Sequence, residues 1–320
     1  MIATPVELSD QDATCPQILI LSDSKPGHLN QSLAFASLLG CRYQVRRVAF
    51  RNRLLKLVSY LFDRLRIRSS GLFKYTGDLP SARMVVSTGS ETYYANRVIA
   101  RTISAFSVVL MWPAGYRADF DLIIAQQHDN PPPRDNLLTL PVNLSAPVAT
   151  GLVQSGPAGA PCIAIIIGGP SKHFRFDLNR LEQQLQQIFH LFPDGDFLVT
   201  TSRRTPLAVD ALLEKLPFRY RLLYSQSQDN PIADFLALAD VLFITEDSTS
   251  MVSEAVCWGK ANVEVLPLAA AAGRNKICTM IGRLAKQGFL HQFDGNIGNC
   301  NLKFELQSVL QAEVQKRSLL

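Results

Sequence analysis

The densest run of side chains able to do chemistry is Thr245-Glu246-Asp247-Ser248-Thr249-Ser250-Met251-Val252-Ser253-Glu254. Five hydroxyl residues, Thr245, Ser248, Thr249, Ser250 and Ser253, fall where an apolar strand pattern gives way to a helical one. Small hydroxyls beside the unpaired amides of a helix N-terminus form an anion cradle, and the helix dipole favours negative charge there. Glu254 lies one turn beyond Ser250, where it could accept hydrogen bonds from ribose hydroxyls. Plain capping of the helix needs only one such hydroxyl.

Three other loops carry chemistry in the same position, just after a strand. Ser22–Gln31 contains Asp23, Gly27 and His28, and His28 shares a helix face with Gln31 and Ser32. An Asp and a His in one loop suit a general base acting on a hydroxyl, with a glycine turn carrying a capping His as the plainer alternative. Gly168-Gly169-Pro170-Ser171-Lys172-His173 lets backbone approach a ligand closely, although Gly-Gly-Pro turns also occur without one. It matches neither GxxxxGK[ST] nor GxGxxG. In Thr200-Thr201-Ser202-Arg203-Arg204-Thr205, the hydroxyls and the two guanidiniums suit phosphate oxygens, or form a solvated basic loop. The candidate binding set is Gly168, Gly169, Ser171, Lys172, Ser202, Arg203, Glu246, Ser248, Thr249, Ser250, Ser253 and Glu254. The candidate catalytic pair is His28 and Asp23.

These loops need elements to hold them. Apolar strand runs at 17–21, 84–87, 107–111, 122–125, 162–167, 197–201, 220–224, 241–245 and 262–266 alternate with helical patterns. Alternation of this kind implies parallel sheets covered on both faces, with ligands beyond the carboxyl ends of the strands. The pattern stops at a Pro/Ala/Gly/Ser-rich stretch, 145–161, read as a linker, and then restarts. The expected fold is α/β, with two Rossmann-like parallel-sheet domains facing a cleft. The boundaries read as an N-terminal tail at 1–16, an acceptor-side domain at 17–150, a second domain at 151–300, and a C-terminal helix at 301–320 that packs back on the first.

Several function classes are excluded or disfavoured. The 320 residues are 47 % hydrophobic and 18 % charged, which is globular composition. The first sixteen residues hold three acids and no base, unlike a secretory or transit peptide, and no apolar run spans a bilayer. Six scattered cysteines without a CxxC pair suggest reduced thiols and a cytoplasmic location. The DxD triplets at Asp10–Asp12, Asp119–Asp121 and Asp194–Asp196 do not follow strands, so no metal site is expected. His128, His190 and His291 stand alone and read as surface or packing residues. The absence of GxSxG removes an α/β-hydrolase nucleophile.

The overall charge of +5 is unevenly spread. Residues 42–74 hold ten cations and one acid, Asp63, a net +9, which leaves the rest of the chain at −4. Leu54, Leu55, Leu57, Val58, Leu61, Phe62 and Leu65 form a broad apolar helical stripe within that block. A basic amphipathic helix reads as binding an anionic membrane surface, or as a packed helix with a solvated basic face. Nucleic acid is not expected, because aromatics are sparse and no single-strand module is present.

SDSKPGHLNQSL, IGGPSKHFRFD, TTSRRTP and ITEDSTSMVSEAV resemble the motifs of the mitochondrial-fission "elongated mitochondria" family, over roughly residues 17–300. Bacterial members are described as nucleoside-diphosphate-sugar epimerases or glycosyltransferase-like proteins, and plant members recruit the fission dynamin. The TEDSTSMVSEA loop stands where GT-B glycosyltransferases hold the donor diphosphate. The first loop stands where the lipid II-forming N-acetylglucosaminyltransferase has its acceptor-side loop, with Ser24-Lys25-Pro26 replacing much of the glycine run. The resemblance implies a metal-independent GT-B-type glycosyltransferase that uses a nucleotide sugar as donor and no cofactor. It would act on a lipid-linked acceptor, peripheral to a membrane and in cell-envelope glycan synthesis. An epimerase on the same cleft and a non-catalytic membrane adaptor are the alternatives.

Overall fold

The computed structural model describes residues 17–271 and 276–320. The expected tail at 1–16 lies outside the described residues. The chain divides into two compact units, one running to Ala146 and joined by Glu305–Leu320, the other covering Pro147–Phe304.

The first unit is a sheet with helices on it. Its elements are β1 (Ile18–Ser22), α1 (Pro26–Leu39), β2 (Tyr43–Phe50), α2 (Arg53–Arg64), β3 (Phe73–Tyr75), β4 (Met84–Thr88), α3 (Tyr93–Thr102), β5 (Phe106–Leu110), β6 (Leu122–Gln126) and β7 (Leu137–Leu140). The strand order is β3-β2-β1-β4-β5-β6-β7, parallel except for the antiparallel β2–β3 pair. β1, β4 and β6 are buried at every residue, as strands covered on both faces must be. The order reverses between β1 and β4, the kind of point at whose carboxyl ends open parallel sheets bind ligands.

The second unit repeats the plan. It contains β8 (Cys162–Ile167), β9 (Phe174–Arg175), α4 (Leu178–Leu191), β10 (Asp196–Thr201), α5 (Leu207–Leu213), β11 (Tyr220–Leu222), α6 (Ile232–Leu238), β12 (Val241–Thr245), α7 (Thr249–Cys257), β13 (Asn262–Leu266), β14 (Ala269–Ala270), α8 (Lys276–Lys286) and β15 (His291–Gln292). The parallel order is β11-β10-β8-β12-β13-β15, with reversal between β8 and β12. The two-residue strands β9 and β14 pair antiparallel, tying the loop after β8 to the loop after β13. The last helix, α9 (Leu306–Lys316), belongs to the first unit. There Gln311 donates to the Leu38 carbonyl at 3.4 Å and Arg83 to the Leu319 carbonyl at 3.2 Å.

Three features differ from the sequence reading. The 145–161 stretch is not a free linker. The buried Asp234 carboxylate accepts bonds from the amides of Thr150 (2.7 Å), Gly151 (3.0 Å) and Val153 (3.3 Å) and from the Thr150 hydroxyl (3.0 Å). Part of the basic block is a strand, β2, in which Arg46 is buried because its guanidinium donates to the Asp78 carbonyl at 2.8 Å. The broad apolar stripe along α2 is also only partly covered. Leu55, Val58 and Phe62 pack on the core formed with α3, whereas Leu54, Leu57, Leu61 and Leu65 are 72, 65, 56 and 58 % exposed.

Candidate functional site

In the second unit the switch point is organised by a carboxylate that the sequence reading did not single out. The side chain of Asp247, two residues past β12, is fully buried. It accepts from the Gly169 amide at 3.1 Å, the Thr245 hydroxyl at 2.7 Å and Arg204 Nη2 at 2.6 Å. The Gly168 amide in turn donates to the Thr245 hydroxyl oxygen at 2.7 Å. Thr205 closes the arrangement, donating to the Gly168 carbonyl at 2.6 Å and accepting from the Ser202 amide at 2.8 Å. The loops after β8, β10 and β12 are thereby locked together at the ends of adjacent strands.

This locking explains the paired glycines. A Cβ on Gly168 would collide with the Asp247 carboxylate, and one on Gly169 with the backbone of Arg204 and Thr205. The close approach anticipated for a ligand is made by the protein itself. Other candidates also have internal duties. Ser171 accepts from the amides of His173 (3.2 Å) and Phe174 (3.3 Å), forming a turn. The Ser202 hydroxyl accepts from the Arg204 amide at 3.3 Å.

Two candidates require correction. Glu246 turns inward, where its carboxylate accepts from the Leu268 amide at 2.6 Å. Burial raises its pKa against the lowering effect of that bond. Ser253 is completely buried and donates to the Thr249 carbonyl of its own helix at 2.6 Å. Neither side chain is presented to a ligand. The register of a single residue at the strand end decides which of Glu246 and Asp247 faces the glycine turn.

The remaining candidates are more available. Ser248 caps α7 by accepting from the Met251 amide at 3.4 Å, Thr249 is partly exposed, and Ser250 is exposed. The first amides of such a helix lack intrahelical acceptors. Lys172 and Arg203 are exposed and form no ion pair among the described residues. Glu254, half-buried on α7, has no hydrogen-bond or charge partner among the described residues, and burial pushes its carboxyl up to about 7.

In the first unit the β1–β4 switch point holds a dyad. Asp23 Oδ2 lies 2.9 Å from His28 Nδ1 and 3.2 Å from Lys25 Nζ, and Asp23 Oδ1 accepts from the Lys25 amide at 3.2 Å. The Asp23 side chain is 2 % exposed and that of His28 23 %. Burial pushes the Asp23 pKa up, but the bonds from His28 and Lys25 outweigh it and the net shift is downward. An ionised Asp23 holds Nδ1–H and leaves Nε2 as the acceptor of a proton, the arrangement of an oriented general base. The imidazole rests on Gly89, the first residue after β4, where any Cβ would strike the ring and φ is +88°. Sequence reasoning missed Gly89, because its requirement comes from a side chain on another loop. Beneath the dyad, the buried hydroxyls of Ser32 and Thr88 lie 2.8 Å apart.

Three acids of the DxD triplets have structural partners. Asp119 pairs with Arg97 and Arg117, Asp121 accepts from the Ser107 amide and hydroxyl at 2.7 Å, and Asp196 pairs with Arg219. His291 is held 2.7 Å from the buried Glu264. Asp10–Asp12 lies outside the described residues.

Residues 26–312 match the family described as mitochondrial fission ELM1. The chain belongs to the mitochondrial fission ELM1 family. It is 23 % identical to the mitochondrial fission protein ELM1 of Arabidopsis thaliana over 261 residues, covering 70 % of this chain and 60 % of that protein. It is 36 % identical to the uncharacterized protein RP120 of Rickettsia prowazekii (strain Madrid E) over 103 residues, 30 % of this chain and 29 % of that one. The chain thus spans less than two thirds of the length of either relative. Among solved structures, the glycosyltransferase SnogD from Streptomyces nogalater superposes with a TM-score of 0.50 at 13 % identity, covering 94 % of each chain. The fold of this ELM1-family chain is the GT-B type, with two Rossmann-like parallel-sheet domains. The ELM1 match takes in His28, Gly89 and all of the second-unit residues above, and it begins three residues after Asp23. Among the described residues, no helix is long and apolar enough to cross a membrane.

Proposed function

We propose that the chain is a nucleotide-sugar-dependent glycosyltransferase whose acceptor is presented at a membrane surface. The observation that carries the reading is the switch point of the second unit. There an unpartnered Glu254 lies one turn along a hydroxyl-rich helix N-terminus, beside a glycine turn held by Asp247. The diphosphate would sit at the amides of Ser248–Ser250, with Lys172 or Arg203 adding positive charge, and Glu254 would accept from the ribose hydroxyls. The acceptor hydroxyl gives its proton to a general base and bonds to the anomeric carbon. The bond from that carbon to the diphosphate oxygen breaks, and the diphosphate leaves with the electron pair. Its charge is met by the helix amides and the cations. Within the first unit, the dyad has the makeup of such a base, since Asp23 would stabilise an imidazolium formed at His28.

Calorimetric titration with UDP-, GDP-, CMP- and ADP-sugars tests the donor half. Binding by one of them, weakened by Glu254→Ala, is the expected result, and binding by none overturns the reading. Incubation with the donor alone separates transfer from epimerisation, since only epimerisation proceeds without an acceptor.

Family membership favours a second reading, because the family and its Arabidopsis member are named for mitochondrial fission. In that reading the chain is a non-catalytic adaptor. Cellular function that survives both His28→Ala and Glu254→Ala would support it against transfer.

A further inference from the structure

The outward face of α2 is built for something other than the interior of the first unit. Leu54, Leu57, Leu61 and Leu65 follow helical spacing and are all more than half exposed. At 1.5 Å per residue they make a strip about 17 Å long. Scattered exposed leucines need no explanation, whereas a continuous strip marks an interaction surface. Beside it opens a hollow of about 560 Å³ whose walls include Leu57, Leu61 and Tyr60 against Tyr116, with Arg64 and Arg117 on its rim.

The charge around the strip is one-sided. Arg51, Arg53, Arg64 and Arg66 are exposed, and none has a carboxylate partner among the described residues. The neighbouring acids are committed elsewhere. Asp63 is buried against Arg97 and Arg68, Glu91 pairs with Lys56, and Asp119 pairs with Arg97 and Arg117. Arg53 occupies the first turn of α2, and no acid accompanies it there. A cation at that end opposes the helix dipole, so local helix stability does not account for it.

A second copy of the chain fits this face poorly, because a two-fold contact would set arginines against arginines. We infer that the outward face of α2 docks on an anionic phospholipid bilayer, with Leu54, Leu57, Leu61 and Leu65 in the acyl boundary and the four arginines at the headgroup phosphates. This deepens the proposed function by naming the surface that meets the membrane. It rests on that reading only for the location of the acceptor, since docking itself needs no donor.

The test is flotation of the full chain with vesicles of phosphatidylcholine, alone or mixed with phosphatidylglycerol, in the absence of any nucleotide sugar. Recovery is expected with the mixed vesicles only, and it falls as salt is raised. Leu57→Asn with Leu61→Asn, and separately Arg53→Gln with Arg64→Gln and Arg66→Gln, each lower partitioning by about tenfold or more. All five side chains point to solvent, and unchanged circular dichroism and melting will confirm that the fold is kept. Recovery of either variant equal to the parent chain overturns the inference, as does equal recovery with neutral vesicles or none with either kind. A dimer that the leucine variants dissociate, without vesicle binding, overturns it in favour of a second copy. Donor calorimetry on the same variants stays unchanged, so loss of docking and loss of the transferase reading are read separately.

Discussion

Glu254 offers the sharpest test of the second-unit site. Burial raises its carboxyl from 4.5 to about 7, with no partner to offset it. A displacement of that size corresponds to about 3 kcal/mol between the two protonation states, and partial solvent access at a half-buried position reduces it to roughly 2 kcal/mol. The sign follows from proton counting. Below the unfolded value both states hold the proton and nothing is lost. Between 4.5 and about 7 the unfolded chain has released its proton while the folded chain keeps it, so stability falls as pH rises. Above the folded value the full penalty is present. Glu254→Gln cannot ionise and escapes it. Chemical unfolding at about pH 5 and about pH 8 should therefore show the parent chain losing roughly 2 kcal/mol that the variant keeps. Trp258, one turn beyond Glu254, reports on the second unit once Trp112 in the first unit is replaced by Phe. Identical pH dependence in parent and variant would refute the argument. The same ionisation bears on ligand binding. A ribose hydroxyl donating to Glu254 favours the carboxylate, so a nucleotide sugar should bind more tightly above neutral pH and release a proton on binding at or below it. Titrations in buffers of different ionisation enthalpy would detect that proton.

Other expectations concern the residues that hold the sites in place. Asp247→Ala leaves the Gly169 amide and the Thr245 hydroxyl without their acceptor, and it should destabilise the second unit by about 3 kcal/mol and abolish donor binding, read by unfolding and calorimetry. Gly89→Ala forces a Cβ into the His28 ring at a positive φ, so transfer should fall by about a hundredfold while donor affinity stays constant. Asp234→Ala removes the acceptor for Thr150, Gly151 and Val153 and should cost about 2–4 kcal/mol, seen as faster proteolysis within 145–161. Burial pushes the Asp234 pKa up, but those bonds outweigh it and the net shift is downward. Protection of the segment should therefore be lost as pH falls through the folded value.

The sequence makes the central strands legible because each is buried on both faces and reads as an unbroken apolar run, as in Ile163–Ile167. It hides the strands that depend on tertiary partners. β2 carries Arg46 and Arg47 side by side, and a buried Arg46 is tolerable because its guanidinium donates to the carbonyls of Asp78 and Val45 and to the Gln44 side chain. β3 and β7 lie at the sheet edges and are only three and four residues long. α8 does carry a signal, since Ile277, Met280, Ile281 and Leu284 keep helical spacing. For the sites, position was legible and orientation was not. Every loop singled out stands at the carboxyl end of a strand. The choice between Glu246 and Asp247, or Arg203 and Arg204, turns on which neighbour meets the Gly168–Gly169 turn, and that turn lies far off in sequence. α2 shows the same limit, because periodicity marks an apolar stripe without saying how much of it the core covers.

The two switch points share a construction that argues for positioning over stability. Each places a nearly inaccessible aspartate just past a strand, Asp23 after β1 and Asp247 after β12. A carboxylate removed from water carries a desolvation cost that its bonds only offset, and well-packed apolar residues of similar volume do as well or better. Stability alone would therefore not select either residue. What each secures is orientation, of the His28 imidazole in one unit and of the Gly168–Gly169 turn with Arg204 in the other. In both cases a glycine at the end of the neighbouring strand makes the room, Gly89 beside His28 and Gly168 beside Asp247. A buried acceptor that fixes a chemical group, facing a residue without a side chain, is the construction that the proposed donor and base sites call for. The strand-order reversal, where parallel sheets leave a crevice, is where both units set it.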